Sequence, residues 1–128
     1  MSKKPISTDK APAAIGPYSQ GVVTGTGNFL FTSGQLPIDP ATGKISEGGI
    51  EDHAHQAFKN LAAIAETAGA SLDKVVKTTV FLSDINNFQA VNQVYAKYFK
   101  KPFPARSAFQ VAALPLGADI EVEAVIEL

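Results

Sequence analysis

The chain has 128 residues, 45% of them hydrophobic, with eleven basic and twelve acidic side chains and a formal net charge of -1. That balance predicts a folded chain and supplies no field to gather nucleic acid or anionic lipid. One domain over residues 1–128 buries roughly two-thirds of its unfolded surface without a disulfide or metal staple, and the absence of cysteine excludes disulfides, thiolate nucleophiles and zinc–thiolate sites.

The start, Met1, Ser2, Lys3, Lys4, runs into Pro5, Ser7 and Asp9 with no apolar stretch behind the lysines, and no later apolar run approaches membrane-spanning length. The expected location is the cytoplasm. Residues 1–17 read as an extended lead-in ending in a turn at Gly16 and Pro17, with Tyr18 opening the first strand. Val22 and Val23 face Phe29, Leu30 and Phe31 across Gly25–Asn28, the pattern of a hairpin. Gly25 and Gly27 begin a dinucleotide-like spacing, but Leu30 stands where the third glycine belongs and no helix follows. The second strand runs into Thr32, Ser33, Gly34 and Gln35, whose small polar groups suit either a turn or a ligand. Residues 36–49, rich in proline and glycine, read as a surface loop.

Ala54, Ala57, Phe58, Leu61, Ile64, Ala65 and Ala68 recur at helical spacing, with Gly69 placed to cap the C-terminus. His53 and His55 fall on this helix two residues apart, about 200° around the axis, which rules out joint metal chelation and leaves them solvated or structural. Val75–Leu82 is a β-branched run that predicts an internal strand. Ser83, Asp84, Asn86 and Asn87 break it and introduce a second helix marked by Phe88, Val91, Tyr95, Tyr98 and Phe99. Leu114–Asp119 turn the chain into a last strand in which Ile120, Val122, Ala124 and Ile126 alternate with Glu121, Glu123, Val125 and Glu127.

Between them lies Pro104–Val111, which holds Arg106, the single arginine of the chain. Strand alternation puts Arg106, Ala108 and Gln110 on one face and Ser107, Phe109 and Val111 on the other, the latter expected to be core. A planar guanidinium above a small floor suits a carboxylate or phosphate, and equally a rim salt bridge. The predicted class is α+β, a mixed sheet with two helices on one face. Phe31, Val80 and Phe109 are apolar enough to want cover on the other face, so self-association is expected. With no thiol, metal cluster or phosphate loop, one arginine and an acidic strand suit the hydrolysis of something already electrophilic, since general acid–base help contributes about 10² to 10⁴ in rate.

Several stretches carry a resemblance: Ala13–Gln20, Phe31–Gln35, Val75–Asp84, Phe103–Ser107, and Leu114–Pro115 through Ile120–Ala124. They resemble the Rid family, the reactive intermediate deaminases formerly called YjgF, in its RidA branch. The resemblance implies a homotrimer of chorismate-mutase-like α+β subunits, three sheets closing a central barrel with clefts between subunits. It implies hydrolysis of 2-imino acids such as 2-iminobutanoate and 2-iminopropanoate, and of enamine tautomers such as 2-aminoacrylate, to 2-keto acids and ammonia, with neither cofactor nor metal. Carried over by position, Arg106 would hold the substrate carboxylate and Glu121 would direct and help deprotonate water. Tyr18, Ser33 and Asn92 would line the pocket, with backbone groups of Gly34 and Ala108 contacting substrate or water. Many relatives have cysteine where this chain has Ala108, which puts any thiol-based regulation in doubt. The same cleft would also serve a regulatory trimer that binds a small carboxylate without turning it over. A ribonuclease or chaperone role, suggested at times for relatives, finds no support in the near-neutral charge.

Overall fold

The computed structural model describes residues 3–10 and 13–128. Its elements are β1 (Lys4–Ile6), β2 (Gly21–Val23), β3 (Phe29–Phe31), β4 (Ile38–Asp39), β5 (Lys44–Ile45), α1 (Ile50–Thr67), β6 (Val75–Leu82), α2 (Phe88–Tyr98), β7 (Ala105–Gln110) and β8 (Ile120–Glu127). The α+β class stands, with both helices on one face of a mixed four-stranded sheet of order β3-β8-β6-β7.

The β-branched run of β6 takes the centre of that sheet, where both edges are paired. It runs parallel to β7, with α2 in the crossover, and antiparallel to β8. A register shift between Val75 and Lys77 lets both Val75 and Val76 be buried; from Lys77 onward the strand alternates. Thr78, Val80 and Leu82 then face the helices, while Lys77, Thr79 and Phe81 face away.

Helix α1 lays Ala54, Ala57, Phe58, Leu61 and Ala65 on the sheet, all fully buried, and its small alanines allow close approach. The Asp52 carboxylate reaches back to accept from the Gly49 amide at 3.0 Å, satisfying a donor that the first turn leaves free. At the other end Ala70 N–H donates to Ala65 and Gly69 N–H to Glu66, with Gly69 at φ +82°, the left-handed cap its sequence position predicts. Helix α2 buries Val91, Val94 and Tyr95. Phe58 is the pivot between the helices, with ring centroids 5.6 Å from Tyr95 and 5.9 Å from Phe99. Burying one such side chain contributes about 1.5–3 kcal/mol.

Several expectations are overturned. No hairpin joins β2 to β3: β2 pairs with β1, and β3 pairs with β8, because the long last strand offers β3 a ladder that the short β2 cannot match. Tyr18 lies in a bend ahead of β2 and opens no strand. The lead-in holds β1, while Met1, Ser2, Ala11 and Pro12 lie outside the described residues. The loop at 36–49 folds into a two-stranded ribbon, β4 against β5. The faces of β7 are reversed as well. Arg106 pairs in register with buried Thr78 and shares its helix-facing side, whereas Phe109 stands on the open face, 44% exposed. Val80 belongs to the buried side, so the apolar groups left on the open face include Phe29, Phe31, 73% exposed, Phe81 and Phe109, the last two edge to face at 5.3 Å.

Candidate functional site

Arg106 sits near the start of β7, and three elements converge on it. From α2, the spacing Phe88, Asn92, Tyr95 places one face of the helix over the strand. Arg106 Nη1 donates to Asn92 Oδ1 at 2.6 Å, while its Cζ lies 5.2 Å from the Phe88 ring centroid and 4.7 Å from that of Tyr95. From the lead-in, Tyr18 brings a third ring to 5.2 Å. The Tyr18 bend is stapled beneath the strand: Ser19 N–H donates to Pro104 O at 2.9 Å, and the Ser19 hydroxyl donates to Phe103 O. Three aromatic faces around one guanidinium restrict its fork to a narrow set of directions.

Burial lowers the Arg106 guanidinium from its ordinary value, opposed by the neighbouring Tyr95 and Tyr18 hydroxyls. Burial also pushes the Tyr95 phenol up to about 12, against a 2.7 Å hydrogen bond with Thr78 Oγ1 and the charge of Arg106. Among the described residues no carboxylate lies within ion-pair distance of Arg106; the acid–base pairs are His53–Asp119 and Lys100–Asp73. A rim salt bridge is therefore not what the arginine makes. Its charge is held in place by rings and one amide, an arrangement suited to an incoming anion.

The second group lies on β8. Gln35 and Val122 exchange backbone hydrogen bonds of 2.6 and 3.1 Å, which draws Gly34 against the strand. The Glu121 carboxylate occupies the space where a side chain at position 34 would start: a Cβ built at Gly34 would overlap it. Only glycine admits the carboxylate there. Ser33 is exposed beside it, with its carbonyl accepting from Gln35 Nε2 at 3.2 Å.

Of the predicted residues, Tyr18, Asn92 and Arg106 come together, with Ala108 two residues along on the same face and packed against the core. Glu121, Gly34 and Ser33 form a separate cluster. Glu121 pairs in register with Phe81 on the open face, whereas Arg106 pairs with Thr78 on the helix face. Two strand spacings and three residues of register put about 10 Å across and about 10 Å along between them. One chain does not bring guanidinium and carboxylate into one cleft. A cavity of about 590 Å³ reaches Tyr18 and one of about 410 Å³ reaches Gly34, and neither is lined by Arg106 or Glu121.

Phe88 and Tyr95 are the residues that sequence reasoning placed in the helix without assigning them to the arginine. Their spacing around Asn92 is the signal. His53 and His55 are structural: His53 bridges Asp119 and Ser46, and His55 Nδ1 lies 3.1 Å from the Tyr98 hydroxyl. His53 thus lies beside the start of β8, which Asp119 immediately precedes.

A family model described as Endoribonuclease L-PSP matches residues 8–128. The chain belongs to this family, the YjgF or Rid family. Human 2-iminobutanoate/2-iminopropanoate deaminase is 52% identical to this Rid-family chain over 125 residues, covering 98% of it and 90% of the human protein. The crystal structure of RidA from the Antarctic bacterium Psychrobacter sp. is 46% identical and matches with a TM-score of 0.76 over 98% of this chain and 99% of that one. The crystal structure of E. coli TdcF with bound serine is 42% identical, with a TM-score of 0.75 over 98% and 99%. The Rid fold and the layered α+β arrangement described above agree.

Proposed function

We propose that this chain is a cofactor-independent deaminase that hydrolyses 2-imino acids, with their enamine tautomers, to 2-keto acids and ammonia. The observation that carries the reading is the Arg106 guanidinium, fixed by Asn92 and three rings and lacking an acidic partner among the described residues. The human relative's name supports the substrate class. Arg106 takes the substrate carboxylate through charge-assisted hydrogen bonds worth roughly 1.5–3 kcal/mol each. Glu121, beside Gly34, accepts a proton from water as the water oxygen bonds to C2. That proton passes to nitrogen, giving the carbinolamine; the hydroxyl proton then follows to nitrogen by way of Glu121 as the C2–N bond breaks, so that ammonia leaves and C2 becomes the keto carbon.

Because guanidinium and carboxylate lie on opposite faces of one sheet, the cleft forms between copies, Arg106 from one subunit and Glu121 from the next. The exposed Phe31 and Phe109 on the open face are what such an assembly covers, and a closed homotrimer is the arrangement proposed. Tyr18 and Asn92 line the arginine side; Ser33 and the backbone of Gly34 line the carboxylate side, and the Ala108 backbone contributes from β7.

A second reading has one observation in its favour: TdcF holds serine, a carboxylate that is not an imine. On it the cleft binds a small carboxylate as a regulatory signal without turnover. The nuclease name of the family model is not carried to this chain, whose net charge of -1 offers a polyanion no long-range attraction. The test is ammonia release from 2-iminobutanoate or 2-aminoacrylate generated in place by an upstream dehydratase or oxidase. Acceleration by the wild type, lost in both Arg106→Ala and Glu121→Ala, is the expected result. No acceleration by an assembled wild type moves the assignment to the binding reading.

A further inference from the structure

His53 stands on the first turn of α1 with its ring held between acceptors. Nδ1 lies 2.9 Å from each carboxylate oxygen of Asp119, and Nε2 lies 2.8 Å from the backbone oxygen of Ser46. A neutral imidazole has one N–H and fills one of these contacts, whereas the doubly protonated ring donates to both. The ring is 14% exposed, so water offers little substitute for a lost partner. The trio is no serine nucleophile array: Ser46 Oγ is buried without a hydrogen-bond partner, and the histidine addresses the backbone oxygen.

Both contacts lead to the Glu121–Gly34 cluster. Asp119 stands two residues before Glu121, with its backbone oxygen accepting from Ser83 N–H at 3.1 Å. The Ser46 N–H donates to Pro37 O at 2.8 Å, and Pro37 follows the Gly34–Gln35 segment that pairs with Val122. One ring on α1 therefore links the approach to β8 with the loop that follows Gly34 and Gln35.

We infer that His53 is a positioning residue for Glu121, its ring clamping Asp119 and the Ser46 segment so that the carboxylate keeps its place against Gly34. This rests on the proposed role of Glu121. The charged groups around the ring are Asp119 in contact, Glu51 and Asp52 on its own helix turn, Lys44 and Glu47 flanking Ser46, and Asp84 beyond Ser83. Asp52 and Asp84 are engaged by the Gly49 and Asn86 amides. Removing the ring frees Asp119 and the Ser46 segment while Arg106, on β7, keeps its partners. The clamp thus acts on turnover and leaves substrate binding alone.

The test compares the full chain with His53→Gln and Asp119→Asn. Amide hydrogen exchange at Gln35 and Val122, read in all three proteins, reports on the clamp without reference to activity. Faster exchange at both amides in both variants, with β7 unchanged, is expected; equal exchange in the three proteins overturns the inference. In the imine assay, kcat of His53→Gln falls about tenfold with KM held, short of the 10²-fold that a 1 Å displacement of a reacting group costs. Wild-type kcat in both variants refutes the clamp. A wild type that is inactive refutes the proposed reaction instead, and the exchange comparison still decides the clamp.

Discussion

Replacing Arg106 by lysine separates charge from shape. The lysine ammonium keeps the positive charge but loses the planar fork, the second parallel donor and the flat surface seated 4.7–5.2 Å from three ring centroids. Arg106 also spends one donor on Asn92 at 2.6 Å, so the orientation of the remaining fork is set by the protein. Losing one charge-assisted hydrogen bond to the substrate costs about 1.5–3 kcal/mol, or about 10- to 150-fold in kcat/KM. Ammonia release under steady-state conditions, with the imine generated in place, reads this directly. The loss falls mainly on KM, because the carboxylate is gripped alike in ground and transition states. Urea unfolding of the same variant shifts by about 1–2 kcal/mol, the scale of a partly desolvated cation–π contact. An Arg106→Lys enzyme with wild-type kcat/KM would show that a point charge suffices and would refute the bidentate grip. A variant that no longer folds would make Arg106 a packing element, with its assignment as a carboxylate binder withdrawn.

Gly34→Ala adds a methyl group where the Glu121 carboxylate lies; displacing that group by about 1 Å lowers kcat by about 10²-fold while the chain stays folded, and wild-type turnover in this variant would dismiss Glu121 as the water-directing group. The Tyr95 phenol, pushed up to about 12 by burial, holds its proton in the folded state after the unfolded chain has released it near pH 10. Stability is therefore full below pH 10 and declines by about 2–3 kcal/mol as pH rises through 12. Urea midpoints for wild type and Tyr95→Phe across that range check it, and a decline of equal size in both proteins assigns the loss to other groups.

What was legible in the chain is what depends on short-range pattern. The β-branched run of β6, the helical spacing of α1 with Gly69 at its end, and the alternation of β8 each carry a local signal that the fold keeps. Pairing partners were not legible, because β3 chooses β8 from nearly a hundred residues away and β1 contains only Lys4, Pro5 and Ile6. The face of β7 was misread for a related reason. Ser107, Phe109 and Val111 look like core beside a charged residue, until α2 supplies Phe88 and Tyr95 to cover the guanidinium. The site residues themselves came from the unusual single arginine and from family resemblance. Their division between two faces needed the sheet register.

On the proposed inter-subunit cleft, the opposed placement of Arg106 and Glu121 would make every chain a donor of two different halves. With heterologous contacts, a row of chains joined head to tail leaves one unused half at each end, whereas closing the row into a ring matches every half. On that proposal, ring closure would add a working cleft with no added chain. The converse also holds: a copy damaged in both halves removes two clefts from its assembly, its own contribution to each neighbour being lost.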